Sequence, residues 1–369
     1  MLNRRNLRIK AMQTLFAWQQ LRNSDQQIAW EQFQTLLKEA PDSVPEPAKL
    51  ERPFKSMLIQ SDRQSLNDLP PDIMKSANEM IADYQIRMDN DLANLRLQML
   101  KEVEGINQLF LWILGLFVAL ADFEKLVISR KKPLSNGKPQ TVLGHLHSIE
   151  LIRKATKSLN LPSWEVHQDR LSQWYKDIKN ASGSGETSEK PTSLEDEVNK
   201  LRSIFKTILW KSDSFQNFFE EHDRGWVENK DIIKSLVNKT LRSITEEGLV
   251  LAPLSYQWEE DKQFFMQIFD ATLKGEAWTE NLIAERAKNW EMDRIAQVDM
   301  ILLKMAITEM INFPSIPVKV TINEYIELSK KYSTPKSKKF INGILDVLAD
   351  HLTEKGTIKK SGRGLIDNK

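Results

Sequence analysis

The chain has 369 residues, 41% hydrophobic and 28% charged, a length that suits two helical domains or one domain with a large insertion. This composition excludes an intrinsically disordered chain, and a net charge of +1 means that any nucleic-acid site must lie in a local cluster. The absence of cysteine excludes disulfides, thiolate nucleophiles and zinc–thiolate sites, and it fits a cytoplasmic protein.

Helical periodicity dominates the chain and predicts an all-α fold. The first helix has an apolar stripe with spacings of three and four residues, made of Leu7, Ala11, Leu15 and Trp18. Arg4 and Arg8 lie on a neighbouring face, which makes one side of this helix cationic. The basic N-terminus lacks the apolar stretch and cleavage site of a secretory signal, so we expect it to stay on the protein.

Three segments interrupt the helical pattern and predict connections. Pro41 to Pro53 contains four prolines, which disfavour a helix. Lys131 to Gln140 and Ala181 to Ser193 follow, and the last of these is the most linker-like stretch and the best domain boundary. Between them, Pro71 to Gly105 and Gly105 to Arg130 predict long helices.

The most apolar run, Leu109 to Ala121, predicts a buried core helix. It has 13 residues, whereas a membrane-spanning helix needs roughly 20. We therefore expect no contact with a membrane.

The last 160 residues predict a compact helical bundle. A helix from Trp290 to Phe313 should stop before a proline. Thr321 to Glu324 has the pattern of a capping box and should start a helix to about Tyr332. Thr334-Pro335 should cap the next helix, and Gly356 should end it. The only candidate strand in this pattern, Val318 to Ile322, is too short to predict a β-strand.

No motif for catalysis or metal binding emerges from the sequence. Gly183 to Gly185 lacks the flanking pattern of a nucleophile elbow, and Gly137-Lys138 is followed by proline instead of the serine or threonine of a phosphate-binding loop. His145 and His147 would lie about 200° apart around a helix, which is poor geometry for sharing a metal. We expect no enzyme, no cofactor and no metal.

Two basic clusters are candidates for RNA binding. The first is Arg4, Arg5, Arg8 and Lys10, and the second is Lys330, Lys331, Lys336, Lys338 and Lys339. Arginine can hydrogen-bond phosphate through two nitrogens, and the second cluster flanks a helix start whose free amides attract phosphate. Phe340 beside it offers a surface for base stacking. On composition alone, an ordinary solvated face remains the alternative for each cluster.

Four C-terminal segments resemble sequence motifs of the NusB family in their order and spacing. These segments are Trp290 to Asp299, Ile307 to Met310, Ile316 to Glu324 and Lys339 to Asp346. The start, Arg4-Arg5-x-x-Arg8 followed by Ala11, Leu15 and Phe16, looks like that family's opening helix. The resemblance leaves about residues 21–211 unmatched. It implies an all-α, NusB-like helical bundle with a large helical insertion or N-terminal extension.

The resemblance also implies a function without catalysis. A family member binds the boxA element of nascent single-stranded RNA jointly with a small-subunit ribosomal protein in the NusE role, acting indirectly on the RNA polymerase elongation complex in ribosomal RNA operons. The RNA-binding residues carried over are Arg4, Arg5, Arg8, Phe16, Lys339 and Phe340. Asp299 would face the protein partner. By periodicity, Phe16 and Phe340 fit core faces equally well.

These patterns predict five regions. They are a first, Arg-rich helix over 1–20 that packs on the C-terminal bundle, an extra helical region over 21–180, a linker over 181–193, a NusB-like helical bundle over 194–355 and a flexible basic tail over 356–369.

Two other functions are consistent with the sequence. The first is a helical protein–protein scaffold whose NusB-like bundle has lost RNA binding, which Lys336 and Lys338 favour because they stand where the family commonly has an acidic residue and a histidine. The second is an RNA-modifying enzyme with a NusB-like domain, which is disfavoured because no Gly-rich cofactor loop accompanies the bundle.

Overall fold

The computed structural model describes residues 1–38, 45–60, 69–130, 141–183, 191–286 and 295–366. Within these ranges the regular structure is helical apart from an isolated bridge between Thr245 and Gly248, which confirms the all-α prediction. The helices are α1 (Arg4–Lys38), α2 (Pro47–Gln60), α3 (Pro71–Arg130), α4 (His147–Thr156), α5 (Gln168–Gly183), α6 (Leu194–Ser203), α7 (Asp213–His222), α8 (Trp226–Arg242), α9 (Trp258–Lys274), α10 (Glu276–Arg286), α11 (Gln297–Asn312), α12 (Val318–Tyr332) and α13 (Ser337–Glu354).

The chain divides into two compact units that do not coincide with the predicted regions. The terminal unit comprises Asn3–Leu100 and Glu259–Lys369, and the central unit comprises Met1–Leu2 and Lys101–Trp258. Helix α3, predicted as two helices that meet at Gly105, is continuous over 60 residues and contributes to both units. The described ends of the predicted linker, 181–183 and 191–193, both belong to the central unit, the first as the end of α5 and the second as the segment that caps α6.

The bundle of the terminal unit forms around α11, which contacts α1, α10, α12 and α13. Every side chain from Ile301 to Met310 is buried. The predicted stripe of α1, from Leu7 to Trp18, is buried as well. Helix α11 ends at Asn312, before Pro314 as predicted, and the segment 290–294 of its predicted first turns lies outside the described residues.

A second apolar core in the terminal unit joins the last part of α1 to α2 and the first half of α3. The rings of Phe33 and Phe54 stack with centroids 4.3 Å apart, and Leu273 of α9 packs against this cluster. Helix α1 therefore continues to Lys38 instead of ending near residue 20. Part of the extra region thus packs on the bundle.

Helix α2 occupies residues that the sequence analysis assigned to a connection. Pro47 stands at its first position, where the missing amide hydrogen costs nothing. Pro53 lies inside the helix. Burial of Leu50, Phe54 and Met57 on one face offsets the hydrogen bond that Pro53 cannot donate, and the proline count could not reveal this.

The predicted caps of α12 and α13 differ from the observed ones. Helix α12 begins at Val318, so Thr321 lies in its first turns and its hydroxyl donates to Glu309 at 2.9 Å instead of capping. Helix α13 begins at Ser337, three residues after the predicted cap. Gly356 has a φ of +66° and follows Lys355, the C-cap of α13, which confirms it as the helix stop.

The apolar run from Leu109 to Ala121 lies in the core of the central unit, as predicted for a buried helix. The indole rings of Trp112 and Trp164 stack with centroids 4.6 Å apart, and Trp164 Nε1 donates to the backbone oxygen of Trp112 at 3.0 Å. Among the described residues, no helix has the length and hydropathy needed to cross a bilayer.

A buried carboxylate ties α3 to the segment before α4. Glu124 is fully buried and accepts hydrogen bonds from the backbone amides of Val142, Leu143 and Gly144 at 2.6–2.9 Å and from the hydroxyl of Tyr175 at 3.1 Å. Burial and then the charge of Glu124 raise the pKa of Tyr175 to about 12. These four donors tie the segment before α4 and Tyr175 of α5 to one buried carboxylate of α3.

Replacing Glu124 by glutamine should destabilise the central unit. The amide nitrogen of Glu124→Gln would face backbone N–H groups that need an acceptor, so the free energy of unfolding should fall by about 1–3 kcal/mol. Urea unfolding followed by tryptophan fluorescence measures this, with the exposed Glu102→Gln on the same helix as control. Equal stability of the two variants would contradict the role assigned to Glu124.

Candidate nucleic-acid interface

Arg8 forms a buried ion pair at the start of α1. Its Nε and Nη2 donate to the two carboxylate oxygens of Glu309, each at 2.7 Å, and both side chains are almost completely buried. Thr321 and the hydroxyl of Tyr325 also donate to Glu309, at 2.9 and 3.1 Å. Burial lowers the pKa of Arg8, but the charge and hydrogen bonds of Glu309 outweigh this and raise it above its ordinary value.

Arg4 and Arg5 lie one turn before Arg8 and reach the surface. Arg4 Nε is 3.2 Å from Asp261, and the guanidinium stands over the ring of Phe264 at 5.1 Å. Arg5 donates to both oxygens of Glu324, at 2.7 and 2.8 Å. The hydrogen bond with Glu324 raises the pKa of Arg5, and the same bond lowers the pKa of Glu324. The side chains of Arg4 and Arg5 remain 36% and 48% exposed, so each can still meet a ligand.

The three arginines line an open concavity of about 570 Å³, which we call the arginine groove. Its other lining residues are Asn3, Ser315, Ile316, Pro317, Val320, Glu324, Arg363 and Ile366. Arg363 is exposed and was not predicted as a site residue. The groove therefore combines guanidinium groups, which suit phosphate, with apolar side chains that can contact sugar and base faces.

Arg363 reaches the groove because the C-terminal segment docks on the turn between α11 and α12. The amide of Ser361 donates to the oxygen of Pro314 at 3.0 Å, and Lys360 Nζ donates to Phe313 at 3.1 Å. A Cβ on Gly364 would lie 2.0 Å from the same oxygen of Pro314. The predicted flexible tail is thus attached up to at least this glycine.

The second basic cluster divides into two parts. Lys330 and Lys331 line a smaller concavity of about 270 Å³ together with Arg5 and Tyr332, so Arg5 borders both concavities. Lys336, Lys338 and Lys339 are exposed around the start of α13, whose first turn contains no acidic residue. The structure therefore joins the first cluster to Lys330 and Lys331 in one surface.

The aromatic candidates are less accessible than the cations. Phe340 is 7% exposed and contributes to the core face of α13 with Ile341 and Ile344, which fits the structural alternative for this residue. Phe16 is half-buried. Neither ring offers an open face like that expected of a stacking platform.

Asp299, predicted to face a protein partner, lies inside the bundle. It is 4% exposed, and its Oδ2 accepts a hydrogen bond of 2.6 Å from the hydroxyl of Ser337. This bond ties α11 to the first residue of α13. A direct contact with a partner would require movement of α13, so we assign Asp299 a structural role.

Within the described ranges, no group of three or more histidine, cysteine or acidic side chains has the geometry to hold a metal ion. His145 Nδ1 lies 2.7 Å from the hydroxyl of Thr141.

Two of the ion-paired arginines of α1, Arg8 and Arg5, should differ sharply when replaced. Arg8→Ala leaves Glu309 charged and buried, so it should lower the free energy of unfolding by about 3–5 kcal/mol. Arg5→Ala breaks an exposed bridge and should cost at most about 1 kcal/mol. Adding Glu309→Gln to Arg8→Ala should recover part of the loss, because it removes the unpaired charge. Urea unfolding measures all three, and similar values for the two single variants would contradict the assignment.

Comparison with known proteins identifies part of the chain. The family model described as NusB family matches residues 235–350. A transcription antitermination protein NusB from Chloroherpeton thalassium is 39% identical over 137 residues, which is 37% of this chain and 62%, less than two thirds, of that protein. No solved structure matches the chain significantly.

Two further relatives carry the same name. The protein from Salinibacter ruber is 42% identical over 122 residues, or 32% of this chain and 74% of the relative. The protein from Geobacter sp. strain M21 is 35% identical over 130 residues, or 34% of this chain and 88% of the relative. None of the three names is that of an enzyme, in agreement with the predicted lack of catalysis. The match covers most of two relatives and confirms the resemblance seen in the sequence: this chain belongs to the NusB family and is longer than the relatives it matches.

Proposed function

We propose that the protein is a cytoplasmic transcription antitermination factor that binds boxA-type single-stranded RNA together with a small-subunit ribosomal protein in the NusE role. Through that complex it acts on RNA polymerase in ribosomal RNA operons. The observation that carries this proposal is the arginine groove, in which Arg4, Arg5 and Arg363 converge beside exposed apolar side chains. The relatives' name supplies the antitermination role.

The groove suits single-stranded RNA for two reasons. Guanidinium groups form charge-assisted hydrogen bonds with phosphates, and those of Arg4 and Arg5 are oriented by Asp261 and Glu324. Val320 and Ile366 are 42% and 70% exposed in the groove, where unstacked bases can contact them. Lys331 extends the basic surface beyond Arg5, whereas Lys330 is paired with Glu327, so a strand longer than the groove meets the further charge of Lys331.

Of the predicted RNA-binding residues, we retain Arg4, Arg5 and Lys339 as contacts. Lys339 is exposed near the start of α13. Arg8 acts indirectly, because its buried pair with Glu309 fixes the first turn of α1. We assign Phe340 to the core and treat Phe16 as a peripheral contact at most. The ribosomal partner binds a surface other than Asp299.

The alternative function, a protein–protein scaffold without RNA binding, has one observation in its favour. Each arginine of the first cluster is paired with a carboxylate, Arg4 with Asp261, Arg5 with Glu324 and Arg8 with Glu309. These pairs reduce the net positive charge that RNA would meet. Salt dependence separates the two functions, because phosphate contacts release counterions and an apolar protein interface does not.

The first test measures binding of a boxA-like single-stranded RNA at several salt concentrations, with and without the ribosomal partner. Arg4→Ala/Arg5→Ala/Arg363→Ala should weaken binding and reduce the slope of log K against log salt by about 2, since each lost phosphate contact removes about 0.7. The matched control is Arg96→Ala, an exposed arginine paired with Asp270 outside the groove. Absence of RNA binding with the partner present would favour the scaffold.

A second test asks whether the docked C-terminal segment is part of the site. Gly364→Ala should displace this segment, because the new Cβ cannot approach the oxygen of Pro314 to 2.0 Å. We expect faster hydrogen exchange at the amide of Ser361 and a loss of RNA affinity equal to that of Arg363→Ala. Gly343→Ala, at an exposed helical glycine with open space, is the control. Continued protection of the Ser361 amide in Gly364→Ala would contradict the claim that the docking needs the close approach of Gly364 to Pro314.

A further inference from the structure

A second group of cations lies in the central unit, on α6, the π-helical turn Ile204–Leu209 that follows it, and α8. Helices α6 and α8 contact each other. Between Val198 and Ser212 the sequence has four basic residues and no acidic one. We call the group formed by Arg202, Lys206, Lys234 and Arg242 the central basic face.

These four side chains repel one another. The pKa of Lys206 is lowered by partial burial and then by the positive charges of Arg202, Arg242 and Lys234. The pKa of Arg202 is lowered by burial and by Arg242. Among the described residues, no ion pair with an acidic side chain is found for any of the four, in contrast to the paired arginines of α1.

Neutral neighbours hold two of the cations in place. Lys234 Nζ stands over the ring of Trp210 at 5.3 Å, and Arg202 Nη1 donates to Asn199 Oδ1 at 3.1 Å. Cation–π contacts and neutral hydrogen bonds orient a charge without cancelling it. The face is therefore an ordered positive surface whose repulsion a bound polyanion would relieve.

We propose that the central basic face binds the phosphate backbone of nucleic acid, as a second contact separate from the arginine groove. On α8, Lys234 and Arg242 are eight residues apart, which is about 12 Å along the helix axis at 1.5 Å per residue. A nucleic-acid strand that lies along this helix would place more than one phosphate within that length. Three of the four cations precede residue 235, where the family match begins, so the contact belongs to the longer chain.

Nucleic acid fits this face better than an acidic protein segment does. The cations lie on α6, the π-helical turn and α8, and the two large apolar side chains beside them, Trp210 and Leu209, are only 9% and 1% exposed, so they give a peptide little to anchor on. Phosphates need only correctly placed positive charges, whatever the base sequence. We therefore expect binding with little sequence preference.

The test compares full-length Lys206→Gln/Lys234→Gln/Arg242→Gln with a control that removes three exposed lysines of the same unit, Lys154→Gln/Lys176→Gln/Lys179→Gln. The probes are mixed-sequence RNA, single-stranded and duplex, titrated over a series of salt concentrations. The first variant should reduce the slope of log K against log salt by about 2–3, and the control should leave it within about 1 of the wild type. Circular dichroism checks folding, and Lys206→Gln alone serves if the triple variant does not fold.

Further arms separate this proposal from its rivals. In the Arg4→Ala/Arg5→Ala/Arg363→Ala variant, salt-dependent RNA binding should persist. It should disappear when the central basic face is also changed. The proposal for the arginine groove and the proposal for the central basic face can therefore fail independently. Equal salt slopes for Lys206→Gln/Lys234→Gln/Arg242→Gln and its control variant would overturn the proposal. The proposal would also be overturned if the first variant lost binding to polyglutamate or to vesicles of anionic lipid and kept its binding to RNA. The face would then bind a protein or a membrane surface.

Discussion

The terminal unit depends on the ion pair between Arg8 and Glu309. Removing two charges from water is expensive, and the structure compensates with two short hydrogen bonds between them and two more from Thr321 and Tyr325 to the same carboxylate. The pair joins α1, α11 and α12 at one point. Because Arg4 and Arg5 lie one turn before Arg8, the same pair fixes where these two guanidinium groups leave the surface.

The sequence predicts the parts of this structure that local patterns control. The apolar stripe of α1, the buried run from Leu109 to Ala121 and the helix stop at Gly356 were all visible, because spacing and turn chemistry are local properties. Helix α2 was missed because burial of one face outweighed the cost of Pro53. The capping residues of α12 were misassigned because Thr321 and Glu324 bind partners in other helices, Thr321 in α11 and Glu324 in α1.

The sequence predicted which kinds of residue form the candidate site, but it did not predict the role of each residue. Four basic residues near the N-terminus suggested RNA, but nothing local distinguishes Arg8, which is 4% exposed, from Arg5, which faces solvent. The distinction comes from carboxylates about 300 residues away. Arg363 was missed for a related reason, since only the close approach of Gly364 to Pro314 shows that the tail is attached.

The separation of Arg8 from Glu309 also constrains how the protein is made. The two residues are 301 positions apart, so at about 5–20 residues per second the start of the first helix is synthesised roughly 15–60 s before the carboxylate partner of Arg8. During that interval its apolar stripe has no α11 to cover it. The second half of α1 can meet α2 and the first half of α3 much earlier, because Trp30, Phe33 and Phe54 are close in sequence. The N-terminal part of the extra region thus gives the nascent α1 an early folding partner.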